Sequence, residues 1–352
     1  MKKVVITALV LFLSISFCMS QNIRQAVQQQ NKPMELEPIQ CSNGKWGYRD
    51  KNTKAMVVPC KYDGAEWFQD GLARVNIGGV QSEPFSPISG GKWGFVDKIG
   101  KEVVPLIYDW VDNRCDWRQE TTIAARLNGK YGFVSKIGNV IIPFMYDNVR
   151  MADIDHGNSI VFFSEGLLAV QLNGKWGFID QTGKEIISFK YGIAENFVNG
   201  LAVVSFNGKN GLIDKTGKEI IPMKYDWIFS SIASELAEVQ LNGKRGFVNK
   251  QTGKEVISPK YDKIGSEDMG EYDYYEQFDR GLFVVQLNSK WGMIDKTGKE
   301  VLPIRYDYIG WFFDELAPVQ LNGRWGFVDA TGAVVVPIVH TNRDAAFRAR
   351  PN

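Results

Sequence analysis

Asn173-Gly174-Lys175-Trp176-Gly177-Phe178-Ile179-Asp180 is the clearest copy of a phrase that returns eight times along the 352 residues of this chain. Its Trp-Gly step, intact or altered, falls at Trp46-Gly47, Trp93-Gly94, Tyr131-Gly132, Trp176-Gly177, Asn210-Gly211, Arg245-Gly246, Trp291-Gly292 and Trp325-Gly326. Self-similarity at a regular period marks a repeat architecture and outranks any local motif.

Outward from the phrase, each unit reads Leu-Ala-x-Val-x-Leu before it, then Lys-Thr-Gly-Lys, Glu-Val-Ile-x-Pro and Lys-Tyr-Asp after it. That pattern spells three strands joined by two tight turns. Asn-Gly stands at 43–44, 128–129, 173–174, 207–208, 242–243 and 322–323, a pair that suits a type I′ hairpin because both central residues take φ > 0. Glycine at 100, 138, 183, 217, 253, 298 and 332 suits the left-handed residue that closes the second turn. The aspartate opening that turn, as Asp180 or Asp214, is expected to cap its amides. Leu168, Val170 and Leu172 alternate along one strand and Trp176 and Phe178 along the next, so one face of each sheet is expected to be buried. Gly177 is expected to leave a gap for a neighbouring side chain, and Pro105, Pro143, Pro222 and Pro303 to stop the third strand.

From the Trp position to the Tyr of Tyr-Asp is always 15 or 16 residues, whereas from that Tyr to the next Trp position is 31, 23, 30, 19, 20, 30 and 19. The variable segment is therefore the return loop, with its large inserts within about 77–90, 150–163 and 264–277. Inserts at one point of a repeat are expected to project from one side, often the binding side. After three strands the chain must travel back about one strand length, ~17 Å, before repeating. The expected fold is all-β: a tandem array of eight three-stranded antiparallel meanders in a curved or superhelical strip, since a flat sheet of that many strands would curl or split. A closed eight-bladed β-propeller is the rival, although no strand looks divided between the termini.

Met1-Lys2-Lys3, the apolar run Val4 to Phe17 and the Cys18-Met19-Ser20 site read as a signal peptide over 1–20. Residues 21–38 follow as a linker, 39–340 as the repeats and 341–352 as a tail. Cys18 as a lipid-bearing residue is the alternative, which the bulky Phe17 opposes. No stretch reaches the about 20 apolar residues of a membrane span. Loss of Lys2 and Lys3 leaves 39 basic against 40 acidic residues, so no net field favours nucleic acid. Cys41, Cys60 and Cys115 remain; a Cys41–Cys60 bridge is open, with small buried hydrophobes the expected reading.

Taken together in register, the Asn-Gly turn, Trp-Gly, Gly-Lys and Tyr-Asp resemble the bacterial WG-repeat family, also called KWG repeats, over about 39–340. The resemblance implies an all-β repeat, commonly exported or attached to other domains, with a role in protein interaction and no general catalytic residues to carry over. Tyr131, Asn210 and Arg245 depart from the Trp, and His340 stands where the last Tyr would be. Such tolerance argues against the Trp position being a ligand pocket.

His156 and His340 are the only histidines, which excludes a multi-histidine metal centre. The run 153–158 has the look of a calcium loop, but Ser164 holds the twelfth position, where a bidentate Glu belongs. No metal or cofactor is expected. Paired carboxylates for glycoside hydrolysis are not expected either, because each recurrent Asp or Glu has a turn role in every unit. Five tryptophans, Trp46, Trp93, Trp176, Trp291 and Trp325, occupy the repeat position and are expected in the core. Trp67, Trp110, Trp117, Trp227 and Trp311 lie in the return segments, and Tyr272, Tyr274 and Tyr275 in an acidic insert; these are the candidate ligand contacts. The expected function is a non-enzymatic exported scaffold binding a protein partner in the envelope or outside the cell. The alternatives are glycan or peptidoglycan binding through loop aromatics, and an enzyme with a site between inserts.

Overall fold

The computed structural model describes residues 34–81, 87–112, 122–154, 158–230, 234–265, 281–313 and 315–351. Trp117, His156, Tyr272, Tyr274, Tyr275, Cys115 and the signal-peptide segment lie outside the described residues. The chain forms two compact units, Met1–Gly129 with Phe133–Val140, and Lys130–Gly132 with Ile141–Asn352.

The fold is all-β, a tandem series of antiparallel meanders, as the repeats imply. Repeat 1 is three-stranded, Leu36–Gln40, Trp46–Asp50 and Met56–Tyr62; the seven sheets that follow have a fourth strand. That strand is the start of the supposed return loop. Directly after Tyr191, Ile193–Ala194 pairs with Leu201–Phe206, with Ile193 opposite Ser205. The way back is thus itself hydrogen-bonded, which satisfies backbone groups that a loose connection would leave to water. The first two inserts do not share one side, and the third, within 264–277, lies largely outside the described residues. The first, over 77–90, lengthens the hairpin at the Asn-Gly end, with Val80 opposite Ser89. The second forms its own hairpin, Ala152–Ile154 with Asn158–Ile160, after the edge strand and hence at the end of the second turns. One-sided inserts are therefore corrected.

Asn128, Asn173, Asn207, Asn242 and Asn322 have φ of 50–51° and the glycines after them 74–77°, the expected type I′ turns. Asn43-Gly44 differs: only Gly44 is left-handed, and the turn is closed one residue wider by Gly44 N–H donating to Cys41. Asn288-Ser289 makes the turn without glycine, holding Ser289 at φ 62°. Ser289→Gly is expected to raise stability by about 0.5 kcal/mol, because a left-handed L residue costs roughly 1–2 kcal/mol and glycine's extra unfolded-state freedom offsets only part of it. An unchanged or lower Tm would refute this account of the turn.

Alternation along the strands serves two faces. In repeat 5, Ala202, Val204 and Ile213 join a core with Phe178, Ile187 and Tyr191 of repeat 4, while Leu201, Val203, Leu212 and Tyr225 pack against Ile228 and Val239 of repeat 6. The expectation of one buried face is corrected: each such sheet is a layer between its neighbours, so stability is a nearest-neighbour property. The recurrent aromatic at the centre is the tyrosine that closes the third strand, followed by Asp except at Tyr191-Gly192, and fully buried at Tyr62, Tyr108, Tyr191, Tyr225, Tyr261 and Tyr306. Trp46, Trp93, Trp176 and Trp291 stand opposite it across the strand pair and Trp325 opposite His340; they are half-buried, except for the buried Trp291. At the end of the array the helix Arg343–Arg348 places Ala346 on Phe327 and Val336, where an interior repeat would receive its successor. It acts as a cap.

The third strand does not stop at its proline. It carries a bulge, with Trp93 opposite Tyr108 but Phe95 opposite Val104, and Pro105 lies inside it, where the missing N–H does no harm. Cys41 and Cys60 are disulfide-bonded, with Cα atoms 6.1 Å apart, and half-buried. This replaces the reading as small buried hydrophobes; closing a loop of this length contributes about 3 kcal/mol.

Candidate functional site

Most recurrent charges are committed inside the array. Lys130 pairs with Asp147 Oδ1, whose Oδ2 accepts from Gly174 N–H at the head of the next hairpin. The same clasp recurs as Lys92, Asp109 and Gly129, as Lys209, Asp226 and Asn242, as Lys244, Asp262 and Asn288, and as Lys290, Asp307 and Gly323. The lysine ammonium, aided by a backbone N–H, holds each aspartate below the usual carboxylate range. Asn-Gly-Lys and Tyr-Asp thus recur together because the lysine holds the aspartate that closes its own unit, and that aspartate accepts from the Asn-Gly turn of the next. At the second turns, Asp180, Asp214, Asp295 and Asp329 accept from a threonine hydroxyl at 2.6 Å and from two backbone amides, as expected of a cap.

The candidate aromatics divide between two positions. Trp110 and Trp227 begin the edge strands of sheets 3 and 6. Trp227 is 37% exposed, lies 5.9 Å from Phe229 with parallel rings, and sits beneath the Arg245 guanidinium at 5.4 Å. In repeat 7 the two kinds of residue trade places: Lys263 on the edge strand covers Trp291 at 5.9 Å. Arg245 at the Trp position is therefore compensated, with a cation and an aromatic exchanged across the same strands. Arg245 Nη1 also donates to Glu238 Oε1 at 2.8 Å. Glu238 has no exposed surface, and burial pushes its carboxyl up to about 7 against the pull of Arg245.

Trp67 and Trp311 precede a phenylalanine in a motif that sequence reasoning missed, Phe-x-x-Gly-Leu, at Phe68, Phe163, Phe197 and Phe278 and in altered form at Phe312. Its signal was available: a phenylalanine four residues before the first-strand leucine in five repeats, with Ile232 in its place before Leu236. The motif makes a tight turn into that strand, with Val198 and Leu201 exchanging backbone hydrogen bonds and Asn199 and Gly200 left-handed. Trp311 is 7% exposed and packs edge-on against Phe312 at 5.6 Å; it belongs to the core. Trp67 is 58% exposed and lines a groove of about 360 Å³ between repeats 1 and 2, with Phe68, Met34, Lys51 and Lys98. A larger groove, about 470 Å³, lies between repeats 5 and 6 at the same end of the sheets, floored by Leu201, Val203 and Leu212 and edged by Asn196, Glu235 and Lys250. No group of three or more metal-ligating side chains occurs among the described residues, and no described helix is long and apolar enough to cross a membrane. His340 ends the last third strand, opposite Trp325.

Among solved structures, the chain is similar to a crystal structure of the eukaryotic initiation factor, at 11% identity and TM-score 0.35 over 85% of this chain and 84% of that one. It is also similar to Kluyveromyces lactis Hsv2, at 12% identity and TM-score 0.32 over 75% and 91% of the two chains. PorZ, a bacterial surface component of the type-IX secretion system of Porphyromonas gingivalis, matches at 11% identity and TM-score 0.27 over 79% and 38%. Likenesses this distant decide nothing about fold or function. No curated protein matches the chain. The model of the WG containing repeat matches nine segments, 46–80, 93–116, 131–153, 158–176, 176–209, 211–244, 246–268, 270–291 and 291–325. With the Trp-Gly strands, bulges and clasps in register with those segments, the chain belongs to the WG-repeat family.

Proposed function

We propose that the protein is a non-enzymatic, exported scaffold whose repeats 2 and 3 offer an apolar surface to a protein partner in the cell envelope or outside the cell. Ile99 and Ile137 carry this reading. They are 72% and 70% exposed and stand where Thr182, Thr216, Thr297 and Thr331 bond the turn carboxylate. Their turns close without that hydroxyl, through Asp97 and Ser135 accepting backbone amides. The isoleucines therefore add nothing to turn hydrogen bonding and place apolar surface in water. Ile107 and Val140 are exposed beside them in sequence, and the turn carrying Ile137 lies across the strand carrying Ile107, a Cβ on Gly138 falling 3.2 Å from Pro105. Exposed apolar surface of this kind marks interaction sites. The Cys41–Cys60 bridge supports an oxidising compartment. The commitment of the recurrent carboxylates to clasps and caps supports binding over catalysis.

Ile99→Thr with Ile137→Thr restores the consensus turn, so the double variant is expected to fold with an equal or higher Tm. Capture from envelope and culture fractions is expected to recover a partner with the wild-type bait and lose it with the variant. A partner held equally by both baits would sink this surface.

Glycan binding remains the second reading because Trp67 offers an exposed ring above a groove with polar walls. Soluble sugars should then quench tryptophan fluorescence in the wild type and not in Trp67→Ala.

A further inference from the structure

Six Asn-Gly pairs head the first hairpins. Asparagine before glycine is open to ring closure within the chain, because glycine has no side chain to hinder attack of its amide nitrogen on the asparagine amide. Local features hardly separate the pairs. Asn128, Asn173, Asn207, Asn242 and Asn322 share φ of 50–51° and the glycines after them 74–77°, and all ten residues are exposed. Each pair follows a leucine or phenylalanine and precedes a lysine or arginine. What separates them is the partner of the turn's backbone amides.

Asp109 Oδ2 accepts from Gly129 N–H at 3.1 Å, Asp147 Oδ2 from Gly174 N–H at 3.0 Å and Asp307 Oδ2 from Gly323 N–H at 3.3 Å. Asp226 Oδ2 holds the turn of repeat 6 through Asn242 N–H at 2.6 Å. In repeat 1, Gly44 N–H donates to Cys41 O at 2.9 Å, and the Asn43 side chain is tied to Cys60 O and Lys45 N–H. The turn of repeat 5 has none of these. Its clasp would come from the residue after Tyr191, where Gly192 stands in place of the aspartate, and Gly208 N–H has no acceptor among the described residues.

A clasped glycine nitrogen is a poor nucleophile. The carboxylate beside it opposes loss of the amide proton, and a charge-assisted hydrogen bond must break before the nitrogen can turn toward the side chain. The Gly208 nitrogen is under neither restraint.

We infer that Asn207-Gly208 is a site of spontaneous covalent modification, where the Gly208 nitrogen closes on the Asn207 side chain and water converts the asparagine to aspartate and isoaspartate. Hydroxide takes the Gly208 amide proton and the nitrogen attacks Asn207 Cγ. The Cγ–Nδ2 bond breaks, and ammonia leaves with a proton from water, which restores the hydroxide. The five-membered imide then takes up one water. Opening at Cγ gives aspartate, and opening at the main-chain carbonyl gives isoaspartate. The net change is one water consumed and one ammonia released. Either product puts a negative charge at the head of repeat 5, and isoaspartate adds a methylene to the two-residue turn between the paired Phe206 and Lys209. The site is independent of the Ile99 and Ile137 surface and of the Trp67 groove.

The test is peptide mapping by mass spectrometry of the purified full chain, kept folded at mildly alkaline pH, with isoaspartate scored by enzymatic methylation. Asn207 is expected to convert at least about tenfold faster than Asn173, the factor that one charge-assisted hydrogen bond supplies. In the urea-unfolded chain the two are expected to react at the same rate, since their neighbours in sequence are alike. Asp147→Ala frees Gly174 and is expected to speed conversion of Asn173 by about tenfold while leaving Asn128 and Asn322 unchanged, which a general loosening of the fold would not do. Gly192→Asp is expected to slow conversion of Asn207; the Ser205 hydroxyl, 3.1 Å from the added Cβ, can rotate aside. Equal rates at Asn173 and Asn207 in the folded wild type, or a difference that persists in urea, would overturn the inference. So would an Asn207 that converts only in the unfolded chain, which would mean that the type I′ turn alone blocks ring closure.

Discussion

Gly177→Val is expected to destabilise the protein by about 4 kcal/mol, near the upper end for a single overpacking substitution. The strand glycine leaves no room for a neighbouring side chain alone; the backbone of the third strand passes through the space. A Cβ on Gly177 would sit 2.7 Å from Ile187 O and 3.0 Å from Phe189 N, because the bulge sets Phe178 opposite Ile187 while Trp176 stands opposite Tyr191. Backbone cannot step aside as a flexible side chain can. The same approach recurs at Gly132, where the Cβ would meet Ile142 O at 2.8 Å, and at Gly292, where it would meet Leu302 O at 2.8 Å. Denaturant unfolding of Gly177→Val would measure the loss. A change under about 1 kcal/mol would show that the bulge can relax and that Trp-Gly is kept for another reason.

Arg245→Ala is expected to cost about 4 kcal/mol at pH 8, since it strips the guanidinium from a carboxylate buried at the face toward repeat 7. The loss should shrink as pH falls. Burial pushes the Glu238 carboxyl up to about 7 from its ordinary 4.5, so the folded chain holds a proton that the unfolded chain has released between those pH values. The wild type's stability from this group is complete below 4.5 and is lost as pH rises toward 7, at about 1.4 kcal/mol per pH unit. The clasp and cap aspartates are shifted the other way, downward, and titrate below this window. Near pH 5 both wild type and variant carry a neutral Glu238, and the penalty should fall well under its value at pH 8. Unfolding at pH 5, 6.5 and 8 decides the matter: a loss equal at all three would mean that Arg245 acts by packing on Trp227 and not through Glu238. Glu238→Gln should flatten the wild-type slope.

The short-range features were legible because each is decided within a few residues. Asn-Gly adopts a type I′ turn on its own steric terms, as at Asn173 and Gly174, and Asp180 caps a turn whose amides lie two and four residues on. The candidate ligand aromatics were less legible, because composition does not tell which ring reaches water. Trp67 and Trp311 hold the same motif position, yet one is 58% exposed and the other 7%. Trp227 read as a loop aromatic and proves to be half of a cation–aromatic pair whose other half, Arg245, read as decay of the repeat.

By itself the sequence determined the architecture: an all-β repeat with two turns per unit, its period set by recurring glycines and its membership by a phrase kept in register. The tertiary structure alone decided what lies between repeats. The second-turn glycines show why. Gly183 was read as left-handed, which it is, but a Cβ there would also meet Ile142 of the preceding repeat at 3.2 Å. In repeat 1, Lys54 takes the left-handed place at φ 60°. Turn geometry is a property of a few bonded residues and is written locally. Clasps, swapped pairs and the disulfide depend on residues brought together from 16 to 28 positions apart, where closing the chain is settled by the packing of whole sheets.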